Sequence, residues 1–177
     1  MTYQLICDSC TDLPAETLRD PHVVKVPLSI QVGPETVIDD ENSRQLELLQ
    51  KMRAWPDAPK TACPSPSAYM EQFREGKDNY IVTLSARLSG SYNAAMQARA
   101  IYREEGGHAN VHVFNSRSAV SGQAQIALLV RELAGSGLAF AQVVERVEAY
   151  INRMQTLFVL ENLDNLRKNG RLTRTQS

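Results

Sequence analysis

Apolar and polar positions divide the chain near residue 67. All eight prolines fall at or before Pro66, so the remainder of the chain is free to form long helices and buried strands. Before that point Tyr3 to Cys7 reads as a short apolar strand. The turn cluster Asp8-Ser9-Cys10-Thr11-Asp12 comes next, then a short helix in which Pro14 suits a first-turn position. Val23 to Val32 reads as one strand, turned by Gly33-Pro34 into the shorter strand Thr36 to Ile38. A helix is predicted from Ser43 to just before Pro56, with Leu46, Leu49 and Leu48, Met52 at three and four spacing. Beyond the loop Lys60 to Pro66 the pattern predicts a helix to about Arg74, a strand Tyr80 to Leu84 and a helix from Ser89 to about Arg103. Next come a strand Val111 to Phe114 and two amphipathic helices, one from Ala119 to Ala134 and one carrying Phe140, Val143, Val144, Val147 and Ile151. Leu157 to Leu160 is the last expected strand.

Strands that alternate with amphipathic helices imply an α/β fold, a parallel sheet covered on both faces, whose ligands sit beyond the carboxyl ends of the strands. Composition narrows the function. With 43% apolar and 22% charged residues the chain is of ordinary globular type. Its 19 basic and 20 acidic residues leave no electrostatic footprint for a polyanion, which argues against nucleic acid as a partner. The longest apolar runs, such as Ile126 to Val130, are far short of the roughly 20 residues a membrane span requires. The first basic residue is Arg19, unlike the charged start of a signal peptide, and a cytoplasmic location is expected. Cys7, Cys10 and Cys63 cannot all pair, which fits a reducing compartment. Cys7 and Cys10 form a C-x-x-C, but neither His22, His108 nor His112 stands at ligand spacing to a cysteine, so no metal is expected.

The loops after the expected strands share one composition, hydroxyls and small residues. They are Asp8-Ser9, Thr61-Ala62-Cys63-Pro64-Ser65-Pro66, Ser85 through Ser89-Gly90-Ser91, and Asn115-Ser116. Ser89-Gly90-Ser91 opens a helix, so backbone N–H groups, the positive end of the helix dipole and two hydroxyls are available to an anionic group. The glycine permits close approach to the backbone. A plain N-cap is the alternative role for either serine.

These segments resemble the DegV family of bacterial fatty-acid-binding proteins. Ile6 to Pro14, I-C-D-S-C-T-D-L-P, is similar to its opening signature, and Thr61 to Pro66 to its T-S-x-P-S-P loop. Leu84 to Ala95, L-S-A-R-L-S-G-S-Y-N-A-A, resembles S-x-x-L-S-G-T-Y-x-S-A. Asn115-Ser116 with Ser121-Gly122-Gln123 is similar to D-S-x-x-x-S-x-G-Q-G, and Leu163 to Leu172 to L-x-x-L-x-K-G-G-R-I. The chain departs from the pattern at Ala62, Cys63, Ser91, Asn115 and Asn169.

The resemblance implies a doubly wound, parallel-sheet, EDD-type N-terminal domain over residues 1–160. Residues 161–177 would start a second, lid-like domain that is largely absent from this chain. It also implies a ligand, a long-chain fatty acid whose carboxylate is held by Thr61 and the Ser89-Gly90-Ser91 loop, with Arg171 of the G-G-R motif close by. Ser9, after the first strand, is a further candidate. No cofactor is implied. The implied partner is an ATP-dependent fatty-acid kinase subunit that makes acyl phosphate, so this chain would be a carrier and not a catalyst.

Three other functions compete. A serine hydrolase would use Ser89 or Ser9, but no G-x-S-x-G surrounds either, and only His108 and His112 lie in later loops. A nucleotide- or phosphate-binding module would rest on Ser89-Gly90-Ser91 alone, without a G-x-G-x-x-G or a G-x-x-x-x-G-K-[ST]. A structural interaction domain would leave the hydroxyl cluster filled with water.

Overall fold

A computed structural model describes residues 2–157 and 159 of the chain. Four parallel strands form its centre: β1 Tyr3–Asp8, β2 Val23–Val26, β6 Asp78–Thr83 and β7 Val111–Asn115, in the order β2-β1-β6-β7. Leu5 is in register with Val23 on one side and Tyr80 on the other, and Ile81 with Val113. Every residue of β1 is buried, as expected of a strand covered on both faces.

Side chains of alternate strand positions supply two separate cores. Tyr3, Leu5, Cys7, Tyr80, Val82 and Phe114 meet helices α5 Ser121–Gly135 and α6 Phe140–Arg153 on one face. Ile6, Ile81 and Val113 meet α3 Pro66–Met70 and α4 Ser91–Glu104 on the other, with Tyr69, Ala94, Ala95 and Ala98 in contact. The doubly wound α/β architecture read from the sequence is thus observed. The period of α6 is legible residue by residue, since Val143, Val147 and Ile151 are its buried positions.

The expected strand Val23 to Val32 is two strands. Pro27 supplies no N–H, β2 stops at Val26, and the chain restarts as β3 Ser29–Val32 in a second sheet. That sheet is antiparallel, in the order β4-β3-β5, with β4 Glu35–Ile38 and β5 Lys60–Ala62. Gly33 makes the β3–β4 turn at φ +59°, and the Trp55 ring lies where a Cβ would stand. The segment expected to be a loop from Lys60 therefore begins as an edge strand, and Thr61 faces Ile30 across the ladder.

Helix α2, Gln45–Ala54, also differs from its pattern. It buries only Leu48, while Leu46 and Leu49 are exposed, as are Ile38 and Trp55. The helix expected to reach Arg74 is α3, one and a half turns long, with turns after it. Of the expected strand 157–160, Leu157 and Val159 are exposed and outside any strand, and Phe158 and Leu160 lie outside the described residues. No described helix is long and apolar enough to cross a membrane.

Candidate functional site

The carboxyl ends of β1, β6 and β7 and the amino ends of α4 and α5 meet around Asp8, the last residue of β1. Asp8 is fully buried. One carboxyl oxygen accepts the Leu84 N–H at 2.6 Å and the other the Gln123 side-chain amide at 2.8 Å. Thr11 donates its hydroxyl to the Asp8 carbonyl at 2.7 Å and accepts from the same Gln123 nitrogen at 2.7 Å. Thr11 has given its only proton to that carbonyl, so Gln123 must be the donor to both partners. Burial pushes the Asp8 carboxyl above its ordinary range, against Leu84 N–H, Gln123, Cys10 N–H and the Ser91 hydroxyl, all of which favour its charged form.

Ser91 begins α4 and is fully buried, whereas Ser89 is half-buried and Gly90 exposed. The two serine hydroxyls lie 3.0 Å apart, and the Ser91 N–H donates to Ser89 Oγ at 3.2 Å. Part of the capping role expected of a serine is therefore present, filled by Ser89. A Cβ on Gly90 would come 3.0 Å from Cys63 Sγ, so the β5–α3 loop lies close against the α4 terminus. Below this junction lies Tyr69, fully buried, its hydroxyl lacking any hydrogen-bond partner among the described residues. Burial, then the negative charge of Asp8, pushes that phenol up.

Ser89, Gly90 and Ser91 are thus brought together with the Thr61-to-Pro66 loop. Thr61 itself is exposed on β5, two residues from Cys63. Ser9 lies on a different side of Asp8, where its hydroxyl accepts the Leu28 N–H at 3.1 Å. Ser9 and Asp8 line a cavity of about 160 Å³ with Thr11, Lys25, Asp39 and Asp40, and Thr61, Ser89 and Ser91 are not among its walls. Arg171 lies outside the described residues. Asn115 accepts N–H groups of Ala86 and Arg117, tying the loops after β6 and β7 together.

Two rival chemistries can be placed on this geometry. His112 is the second residue of β7, at the opposite strand end from the serines, and bonds Glu148 of α6 at 3.0 Å. His108 precedes the same strand. Neither ring stands beside Ser89 as a triad requires. Of the C-x-x-C, Cys7 is buried with its thiol pushed up by burial and then by Asp8, and Cys10 is half-buried. Among the described residues no three His, Cys, Asp or Glu side chains are placed to hold a metal ion.

Sequence reasoning gave no role to Gln123, Thr11 or Tyr69. Gln123 carried a signal, being the polar residue on the otherwise apolar buried face of α5. Tyr69 carried none, because a tyrosine on a short helix reads as core.

The sequence model of a family described as "Uncharacterised protein, DegV family" matches residues 2–177. A DegV domain-containing protein of Streptococcus pneumoniae is 38% identical over 177 residues, covering 98% of this chain and 63% of its own length. A DegV family crystal structure from Ruminococcus gnavus, refined with vaccenic acid, superposes with a TM-score of 0.94 at 47% identity, over 98% of this chain and 63% of that one. The Streptococcus pneumoniae Fatty Acid Kinase (Fak) B3 protein loaded with linoleic acid superposes at 0.91 with 37% identity, over 99% and 63%. The chain therefore spans just under two thirds of the length of these relatives.

Proposed function

Because the chain belongs to the DegV family, we propose that it binds a long-chain fatty acid by the carboxylate and presents it to a fatty-acid kinase subunit. The observation that carries this reading is the hydroxyl pair Ser89 and Ser91 at the amino terminus of a 14-residue helix, closed over by the Cys63 loop. A carboxylate there meets hydroxyl donors and the positive end of the helix dipole. Solved relatives with bound vaccenic and linoleic acids support the ligand class, and the kinase name of one supports the partner.

In this reading Ser89, Gly90, Ser91 and Thr61 form the head-group contact and Arg171 adds a guanidinium, while Ser9 faces the separate cavity beside Asp8. Residues 1–160 hold the head group and 161–177 begin a lid. The protein works in the cytoplasm, carries the acid without converting it, and leaves the ATP chemistry to the kinase subunit. No residue here needs a metal or organic cofactor for that task.

Organic extraction of natively purified protein followed by mass spectrometry tests the reading. The expected result is about one fatty acid per chain and no ultraviolet-absorbing base. A co-purifying nucleotide with no lipid would replace the carrier reading with a nucleotide-binding one.

A further inference from the structure

The two halves of the proposed head-group contact stand on different sheets. Ser89 and Ser91 are carried by the parallel sheet, where the Ser89 N–H donates to the Ser85 carbonyl at 3.1 Å and the Ser85 N–H to the Ser118 carbonyl at 3.0 Å. Thr61 is carried by the antiparallel sheet, held in β5 by the ladder with β3. The segment 29–62, which makes this second sheet and α2, stands apart from the rest. Among the described residues neither core takes a side chain from it, and within it only Val32 and Leu48 are buried. So little apolar burial leaves a unit free to shift as a body, and its position then depends on its polar ties.

One such tie lies at its root. β2 stops before Pro27, and the next N–H, that of Leu28, donates to Ser9 Oγ at 3.1 Å. The Leu28 carbonyl accepts the Asp39 N–H, just past β4, at 2.9 Å. Leu28 is buried, so its N–H depends on a protein acceptor. Ser9 is thus joined through Leu28 to β3, and β3 holds Thr61 opposite Ile30. Beside this tie the two parts do not pack together. The cavity of about 160 Å³ is lined by Ser9, Asp12 and Leu13 from the turn after β1 and by Asp39, Asp40 and Gln45 from the segment. We infer that Ser9 is a positioning residue for the head-group site: without touching the ligand, it fixes through Leu28 where the segment that carries Thr61 stands relative to Ser89. This rests on the proposal that Thr61 and Ser89 share the head group, and deepens it.

Oleate titration of the delipidated full chain tests the role. Ser9→Ala removes the acceptor and should weaken binding by about two- to tenfold, the range of one neutral hydrogen bond. Ser9→Thr keeps the oxygen, has the cavity to receive its extra methyl, and should bind like wild type. A double-mutant cycle separates positioning from contact. A residue that acts through Thr61 loses its effect once Thr61 is gone, so Ser9→Ala should change affinity little in a Thr61→Ala background. A direct contact, or a general loosening of the fold, would cost as much there as in wild type.

Hydrogen exchange on the wild-type chain keeps the test open if Ser9→Ala does not fold. A head group held by Thr61 and Ser89 at once ties the segment to the parallel sheet a second time, and so steadies parts of it that the ligand does not touch. In the free chain the amides of residues 28–32 should exchange faster than those of β1, and oleate should slow them. Unchanged oleate affinity in Ser9→Ala, additive losses in the cycle, or exchange at 28–32 that oleate leaves unaltered overturns the role of Ser9. Thr61→Ala and Ser89→Ala variants that both bind like wild type overturn the head-group assignment instead.

Discussion

Replacing Asp8 by alanine leaves two buried donors without an acceptor, the Leu84 N–H and one proton of the Gln123 amide. An orphaned buried donor costs about 1–3 kcal/mol, so the pair sets a gross loss of about 2–6 kcal/mol. Removing a carboxyl that has no exposure returns part of this. The cavity of about 160 Å³ that Asp8 borders can also admit water to the exposed donors. A net destabilisation of about 2–4 kcal/mol is expected, a large share of the stability of a domain this size. Urea unfolding of delipidated protein measures it, since bound ligand would add its own stabilisation.

The pH dependence of the loss gives a sharper check. The folded-state carboxyl lies above its unfolded value, so between the two values the native protein holds more protons and the Asp8 contribution falls as pH rises. The difference between wild type and Asp8→Ala should therefore be larger on the acid side of that window than on the alkaline side. A difference that grows with pH would mean that the donors around the carboxyl outweigh burial, and the reasoning that burial raises Asp8 would be refuted.

Thr61→Ala and Ser89→Ala should each weaken fatty-acid affinity by about tenfold or more, since a bond to a charged group is worth about 1.5–3 kcal/mol; the unfolding midpoint should change little in Thr61→Ala, whereas Ser89→Ala also gives up the acceptor of the Ser91 N–H, worth about 1 kcal/mol; calorimetric titration with oleate checks both, and unchanged affinity in both contradicts the assignment. Val120, β-branched and at φ +52° before α5, should accept glycine with a gain of about 1 kcal/mol, strain relief exceeding the entropy cost, and a lower melting temperature would contradict this. Iodoacetamide should alkylate exposed Cys63 long before buried Cys7, as peptide mass spectrometry reads directly. Burial raises the Asp20 carboxyl, but the His22 N–H and Arg131 outweigh it and hold the group below its ordinary value. Its contribution is present above the unfolded value and lost as pH falls through the folded one, so Asp20→Asn should flatten the acid limb of the stability curve.

The central sheet was legible because its signals are local. β1, β6 and β7 are short apolar runs, and the stripe Val143, Val147, Ile151 repeats at helical spacing. The second sheet was not, because its pairing is remote. β5 has three exposed residues and becomes a strand only through its ladder with β3, about thirty residues earlier. Pro27 was the available clue, a residue that a central strand excludes. The α2 stripe misled for a related reason. Spacing shows that Leu46 and Leu49 share a face with each other, but not which face the protein covers.

At the site, the sequence offers candidate hydroxyls but no sign of which buried groups meet near them. Ser89-Gly90-Ser91 stands out as hydroxyls and a glycine at the start of a helix, a pattern that a cap and an anion site share. Asp8, Gln123, Thr11 and Tyr69 come from separate segments, and only their meeting shows a fully buried carboxyl held by Leu84 and Gln123. That arrangement also explains why Gln123 is costly to keep and costly to lose. Its carbonyl oxygen is buried without a partner among the described residues, a penalty an apolar residue would avoid. Its amide nitrogen holds Asp8 and Thr11 at once. A leucine there would relieve the first and strand the second, leaving the carboxyl with one donor fewer and a still stronger pull toward the neutral acid. The glutamine is accounted for by the carboxyl at the end of β1, which is fully buried and takes one of its donors from this amide.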